Sequence, residues 1–144
     1  MLDVQRYRGA IYRDEIQFAR KLMWAHMVIG AAVIAMFLFH EIFWWFLFSG
    51  IWYALSLGVM YGMMNGQRHF RLLLALTFLF GTATGVFFVN RVFPLVEPPH
   101  RPFLPHSLVP VWVGLANLLY AVMALALIFN PRVKKASATG FTLW

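Results

Sequence analysis

The stretch LMWAHMVIGAAVIAMFLF (residues 22–39), then His40-Glu41, then IFWWFLFSGIWYALSLGVMYGMM (residues 42–64) decides the architecture. Its first block is 18 residues without a charge and its second is 23. A hydrocarbon core of roughly 30 Å takes about 20 helical residues, so the whole stretch is too long for one helix. His40-Glu41 is its only strongly polar break. It reads as two membrane spans joined by a tight hairpin.

Two further apolar runs follow, Phe70 to Val89 and Leu108 to Phe129, the second closed by Asn130-Pro131. Between them, Asn90 to Ser107 holds Pro94, Pro98, Pro99, Pro102 and Pro105, which cannot continue a helix. The expected fold is an all-α integral membrane protein of one domain, residues 1–144. Its four transmembrane helices cover about residues 22–39, 42–64, 70–89 and 108–129. An arm (1–21), an outer proline-rich loop (90–107) and a cytoplasmic tail (130–144) complete it. No internal repeat is evident, and the first 20 residues contain no apolar signal core, so the first run is expected to remain as a helix.

Composition agrees with bilayer solvation. Of the 144 residues, 62% are apolar and only 12% charged, outside the range of ordinary soluble domains. The tryptophans fall mostly where apolar runs begin or end, as interfacial belts require. The net charge of +7 is carried by short basic clusters beside apolar runs, which suits lipid headgroups and not nucleic acid. The absence of cysteine excludes disulfides, iron–sulfur clusters, thiolate zinc sites and thiol nucleophiles.

Orientation follows from the lysines and arginines. Arg6, Arg8, Arg13, Arg20, Lys21, Arg68, Arg71, Arg132, Lys134 and Lys135 fall on one side of the spans, and only Arg91 and Arg101 on the other. The ten-residue side is expected to be cytoplasmic, with both termini there. The expected location is the inner (cytoplasmic) membrane of a prokaryote or its equivalent. Ahead of the first span, Val4, Tyr7, Ile11, Phe18 and Leu22 recur at helical intervals, with polar residues mostly between them. This predicts an amphipathic interfacial helix; a frayed polar terminus is the alternative, and Gly9 favours the latter.

Small residues recur at every fourth position of the second span: Gly50, Ala54, Gly58, Gly62 and Gly66. In lipid, close van der Waals approach over such a face is a main route to helix association. The face is expected to pack against neighbouring helices of this chain, or to receive another subunit or a flat cofactor. Thr77, Gly81 and Gly85 repeat the pattern in the third span. Asn117 lies near mid-bilayer, where its amide is expected to clamp a neighbouring helix. The tail from Thr139 to Trp144 is expected to need a partner chain to hold it.

All five acidic residues, Asp3, Asp14, Glu15, Glu41 and Glu97, lie outside the spans or at their edges, which argues against an autonomous ion-coupled pump. His26 and His40 are fourteen residues apart, hence on nearly one helix face and about 21 Å apart along the axis. This spacing resembles the one by which di-haem cytochromes b hang a haem near each membrane surface from a single helix. The resemblance is confined to that spacing. It implies haem b as a cofactor, with His26 pairing with His69 and His40 with His106 as its ligands. The other reading of these histidines is interfacial polar residues. The outer surface also gathers Glu41, Glu97 and His100 with His40 and His106, a donor set that suits Zn or Cu. Histidines six apart in a proline-rich loop are a weak pattern, and no metal site is assigned on that basis.

No nucleophile–base pair, phosphate loop or catalytic carboxylate pair is present. No catalytic residue is expected, and the chain is read as a non-enzyme. The expected function is that of a small integral subunit that packs against and stabilises a larger membrane complex, respiratory or photosynthetic electron transfer being the expected host. Its partners are other integral subunits and lipid. A b-type haem or quinone-binding electron-transfer subunit and a membrane helper of a transporter remain open as alternatives.

The charge distribution makes a topological prediction. Single cysteines at Ala10 and at His100, treated with an impermeant thiol reagent in intact cells, are expected to label only at His100. Equal labelling at both positions contradicts the two-sided arrangement.

Overall fold

The computed structural model describes residues 13–100 and 105–143. Helix α1 spans Arg13–Phe39, α2 Phe43–Met64, α3 Arg68–Phe87, α4 Val109–Phe129 and α5 Pro131–Thr139. No strand occurs among the described residues. Four helical segments are long and apolar enough to cross a bilayer: Arg13–Phe39, Phe43–Met64, Arg68–Leu95 and His106–Phe129. The expected interfacial helix falls largely on residues 1–12, outside the described residues. Residues 13–21 continue into the first span as one unbroken helix.

The connections follow from the residues at them. Between α1 and α2, Glu41 adopts a left-handed φ of 58°, which turns the chain within two residues. Backbone bonds from His40 to Met36 (3.1 Å) and from Ile42 to Phe37 (3.0 Å) close that turn. Between α2 and α3, Gly66 has a φ of 81°, and Gln67 N–H returns to the Gly62 carbonyl at 3.3 Å. A glycine in this conformation is a common helix terminator. Gly66, expected on the small-residue packing face, therefore ends the helix instead. Helical structure also runs past the expected end of the third span, through a π-turn at Phe88–Val92 and a 3-10 turn at Phe93–Leu95. Pro94 is tolerated because it stands in the first turn of that 3-10 segment, where a missing N–H costs least.

Helix α3 lies against both α2 and α4, and α1 against α2, α4 and α5. Two apolar clusters fill the bundle. Met23, Met63, Leu74, Phe78, Met123, Leu127 and Val133 form the larger one, toward the end where α1 begins. Met36, Phe37, Ile42, Phe88, Val109 and Val113 form the smaller one, toward the α1–α2 turn. The perimeter carries exposed Ile51, Leu55, Leu76, Leu118 and Val122, as expected of helices solvated by lipid.

The end where α1 begins is closed by polar contacts. Arg71 of α3 donates to the carbonyls of Leu127 and Ile128, the latter at 3.3 Å, and so satisfies acceptors that the last turn of α4 leaves open. Asn130 caps α5, its Oδ1 accepting from Arg132 N–H at 2.9 Å. The tail, expected to need a partner, docks on its own chain. Phe141 enters the larger cluster, its N–H bonds the Met64 carbonyl at 2.9 Å, and Arg20 Nε donates to the Thr142 carbonyl at 2.5 Å. Trp144 lies outside the described residues.

Gly140 makes this docking possible. Its φ of 74° and ψ of 151° form a combination essentially reserved for glycine, and a Cβ there would sit 3.0 Å from the Met64 carbonyl oxygen. Gly140→Ala is expected to cost about 1–3 kcal/mol and to release the tail. Thermal unfolding in detergent and limited proteolysis after residue 139 check this. Unchanged stability and protection would show that the tail does not contribute to the fold.

Candidate functional site

In the interior of the bundle, three helices meet on one imidazole. His26 of α1 is fully buried. Its Nδ1 lies 3.1 Å from the Tyr120 hydroxyl of α4, and its Nε2 lies 2.9 Å from Ser56 Oγ of α2. The Ser56 hydroxyl donates its single proton to the Tyr53 carbonyl at 2.7 Å. The consistent proton arrangement therefore has Nε2–H donating to Ser56 and Nδ1 accepting from Tyr120, a neutral ring with both nitrogens satisfied. Phe78 of α3 (4.7 Å between ring centroids), Tyr53 (5.4 Å), Tyr120 (5.6 Å) and Trp52 (6.1 Å) enclose it.

Two more hydrogen bonds extend the network. Tyr53 donates to the Met27 carbonyl at 2.7 Å, and Trp52 Nε1 donates to the Thr77 carbonyl at 3.1 Å. Glycines make room for these rings. A Cβ at Gly30 would overlap the Tyr53 ring, and one at Gly81 would lie 2.5 Å from the Trp52 ring. Gly30 carries no motif in the sequence; only its place one turn beyond His26 hints at its role.

Gly85 is filled in the same way, by the side chain of Asn117. The Thr82 hydroxyl, 3.0 Å from the Phe78 carbonyl of its own helix, also lies 3.3 Å from the Asn117 backbone carbonyl, so its one proton is shared between α3 and α4. The Asn117 amide has no hydrogen-bond partner among the described residues and lies on the wall of a half-open cleft of about 50 Å³, with Ser49, Thr84 and Tyr120 also lining it. Small-molecule pockets begin at roughly 300 Å³, whereas a water needs only about 10–15 Å³ and a few polar partners. As it stands, the cleft has room for water or a few methylene groups.

The histidines proposed as haem ligands have different fates. His26 is committed to Ser56 and Tyr120, and its ring neighbours do not include His69, which is exposed in the first turn of α3. His40 and His106 are brought together at the opposite end, ring centroids 6.4 Å apart. Among the described residues, no group of three or more His, Asp or Glu converges as a metal site would require.

The small-residue face of α2 divides. Gly62 receives the Phe70 ring at the start of α3, whereas a Cβ at Gly50 or Gly58 would meet no atom of another described segment within 4 Å. Ala54, between these two, is exposed.

Comparison of the chain with protein-family models, with curated proteins and with solved structures finds no match in any of the three. The arrangement around His26 is that of a clamp: a neutral ring whose two nitrogens are each hydrogen-bonded to a hydroxyl on a neighbouring helix, with the Ser56 proton directed to the Tyr53 carbonyl. Tyr120→Phe and Ser56→Ala are each expected to cost about 0.6–2 kcal/mol, the range of hydrogen bonds between membrane helices. Because both hydroxyls hold one ring, the double variant is expected to be non-additive. Reversible unfolding in mixed micelles measures the cycle; strict additivity with negligible single costs would show that the ring clamps nothing.

Proposed function

We propose that this chain is a small non-catalytic integral subunit that packs against a larger membrane complex and stabilises it. The supporting observation is the outward strip of α2 formed by Gly50, Ala54 and Gly58, which none of the described residues outside its own helix covers within 4 Å at either glycine. The residues beside it, Ile51 and Leu55, are large and exposed, as a lipid-facing surface requires. Lipid chains gain nothing particular from small residues. A second helix does, because a shallow groove lets backbones approach closely and multiplies van der Waals contact. The polar chemistry of the interior is consistent with this reading, since it is spent on holding helices together.

The two halves of the glycine face respond differently to added bulk in this proposal. Gly58→Leu is expected to leave the isolated chain's stability within about 0.5 kcal/mol, as at other open surface positions, yet to separate it from its complex. Gly62→Leu is expected to destabilise the chain itself by about 1–3 kcal/mol, because the Phe70 ring occupies the space. Native mass after extraction in mild detergent, with thermal unfolding, reads both effects. A wild-type chain that runs alone, or an assembly that Gly58→Leu leaves intact, overturns the subunit reading.

A further inference from the structure

His40 and His106 carry an unusual feature at the end of the bundle away from the tail. His40 is 2% exposed, and its Nδ1 lies 2.9 Å from the Met36 carbonyl oxygen. A carbonyl only accepts, so Nδ1 holds the ring proton and Nε2 holds the lone pair. That Nε2 is buried with no hydrogen-bond partner among the described residues, and so is Nδ1 of His106. Buried polar atoms are nearly always paired, and two exceptions on adjacent rings call for a common explanation. The rings are 6.4 Å apart between centroids and inclined by 42°.

We propose that His40 and His106 form a two-coordinate site for a monovalent closed-shell cation of the Cu(I) class, held by Nε2 of His40 and Nδ1 of His106. Metal–imidazole bonds run about 2.0–2.1 Å, so two rings placed trans across one ion have centroids about 6 Å apart. The observed separation fits. The bond from His40 Nδ1–H to a backbone carbonyl is the outer contact by which metal-binding histidines are oriented and made more basic. Phe93 stacks on His106 with centroids 4.6 Å apart and 26° between planes, fixing the second ring.

Ligand number and charge select the ion. Zinc takes four ligands, and among the described residues no third His, Asp or Glu joins the pair. Residues 101–104, Arg-Pro-Phe-Leu, bring no metal-binding side chain in sequence. A dication here would keep much of its charge uncompensated in a buried position. A monocation bound by two neutral imidazoles loses the least solvation, and imidazole is an accepted copper ligand.

The test uses the full-length chain in mild detergent, given Cu(I) anaerobically with a chromophoric Cu(I) chelator as competitor. The expected result is stoichiometric copper retained by the protein, with the X-ray absorption edge of linear, nitrogen-ligated Cu(I). His106→Phe preserves the stack on Phe93 but supplies no lone pair, and should weaken retention by at least about tenfold. His40→Ala should do the same and His100→Ala should not. Copper should raise the melting temperature of the wild type and leave that of His106→Phe unchanged, which separates ligand loss from misfolding. Failure of the wild type to retain copper, leaving the two nitrogens to a shared proton or a water, overturns the proposal. Equal retention by His106→Phe does so too, and a Soret band in the protein as purified would place haem, not copper, between the rings.

Discussion

In a hydrocarbon core no water competes for polar groups, so one side chain with two hydrogen-bonding atoms can define where two neighbouring helices stand. His26 does this for α2 and α4, through Ser56 and Tyr120. Each bond contributes only about 0.6–2 kcal/mol in lipid, so the pair is not the main source of stability. Its effect is positional. Hydrogen bonds have narrow geometric tolerance, whereas apolar contacts between helices slide easily, and the ring therefore sets axial register for the apolar packing around it. The placement of Trp52, Tyr53, Phe78 and Tyr120 around the imidazole follows from that register.

The second constraint is volume. Small residues on adjoining helices act here as notches for side chains from the next helix: Tyr53 into Gly30, Phe70 into Gly62, Trp52 into Gly81 and Asn117 into Gly85. Backbone-to-backbone contact is the usual use of a GxxxG face, but a ring seated in a glycine notch gains comparable dispersion contact and also locks rotation. Helix α2 supplies rings to one side and has its remaining small residues turned outward. The unused strip of Gly50, Ala54 and Gly58 is a geometric consequence of which residues the ring-and-notch packing consumes.

The two ends of the bundle are finished differently. At one, Arg71, Asn130 and the docked tail satisfy helix-terminal groups and cover the larger apolar cluster. At the other, His40 and His106 converge over the smaller cluster with two nitrogens left unmatched. One end saturated with hydrogen bonds and another with two buried, unmatched imidazole nitrogens give the molecule a chemical polarity along its axis.

The four spans were legible in the sequence, because lipid demands about 20 apolar residues per crossing and that demand is met locally along the chain. His40-Glu41 as a turn and the nearness of His40 to His106 were legible for the same reason: both residues stand at span ends on the same side. Which glycines pack was not legible. Gly58 and Gly62 are one turn apart with identical spacing, yet only Gly62 meets a ring, because the rotation of α2 depends on where α3 begins. The commitment of His26 to two hydroxyls was hidden too, since Ser56 and Tyr120 lie 30 and 94 residues away along the chain. Docking of the tail likewise depended on Gly140, whose backbone conformation is set by contact with Met64. Hydrophobicity is summed along the chain and can be read from it, whereas helix rotation, register and hydrogen-bond pairing are relations between distant segments that exist only once the helices have packed.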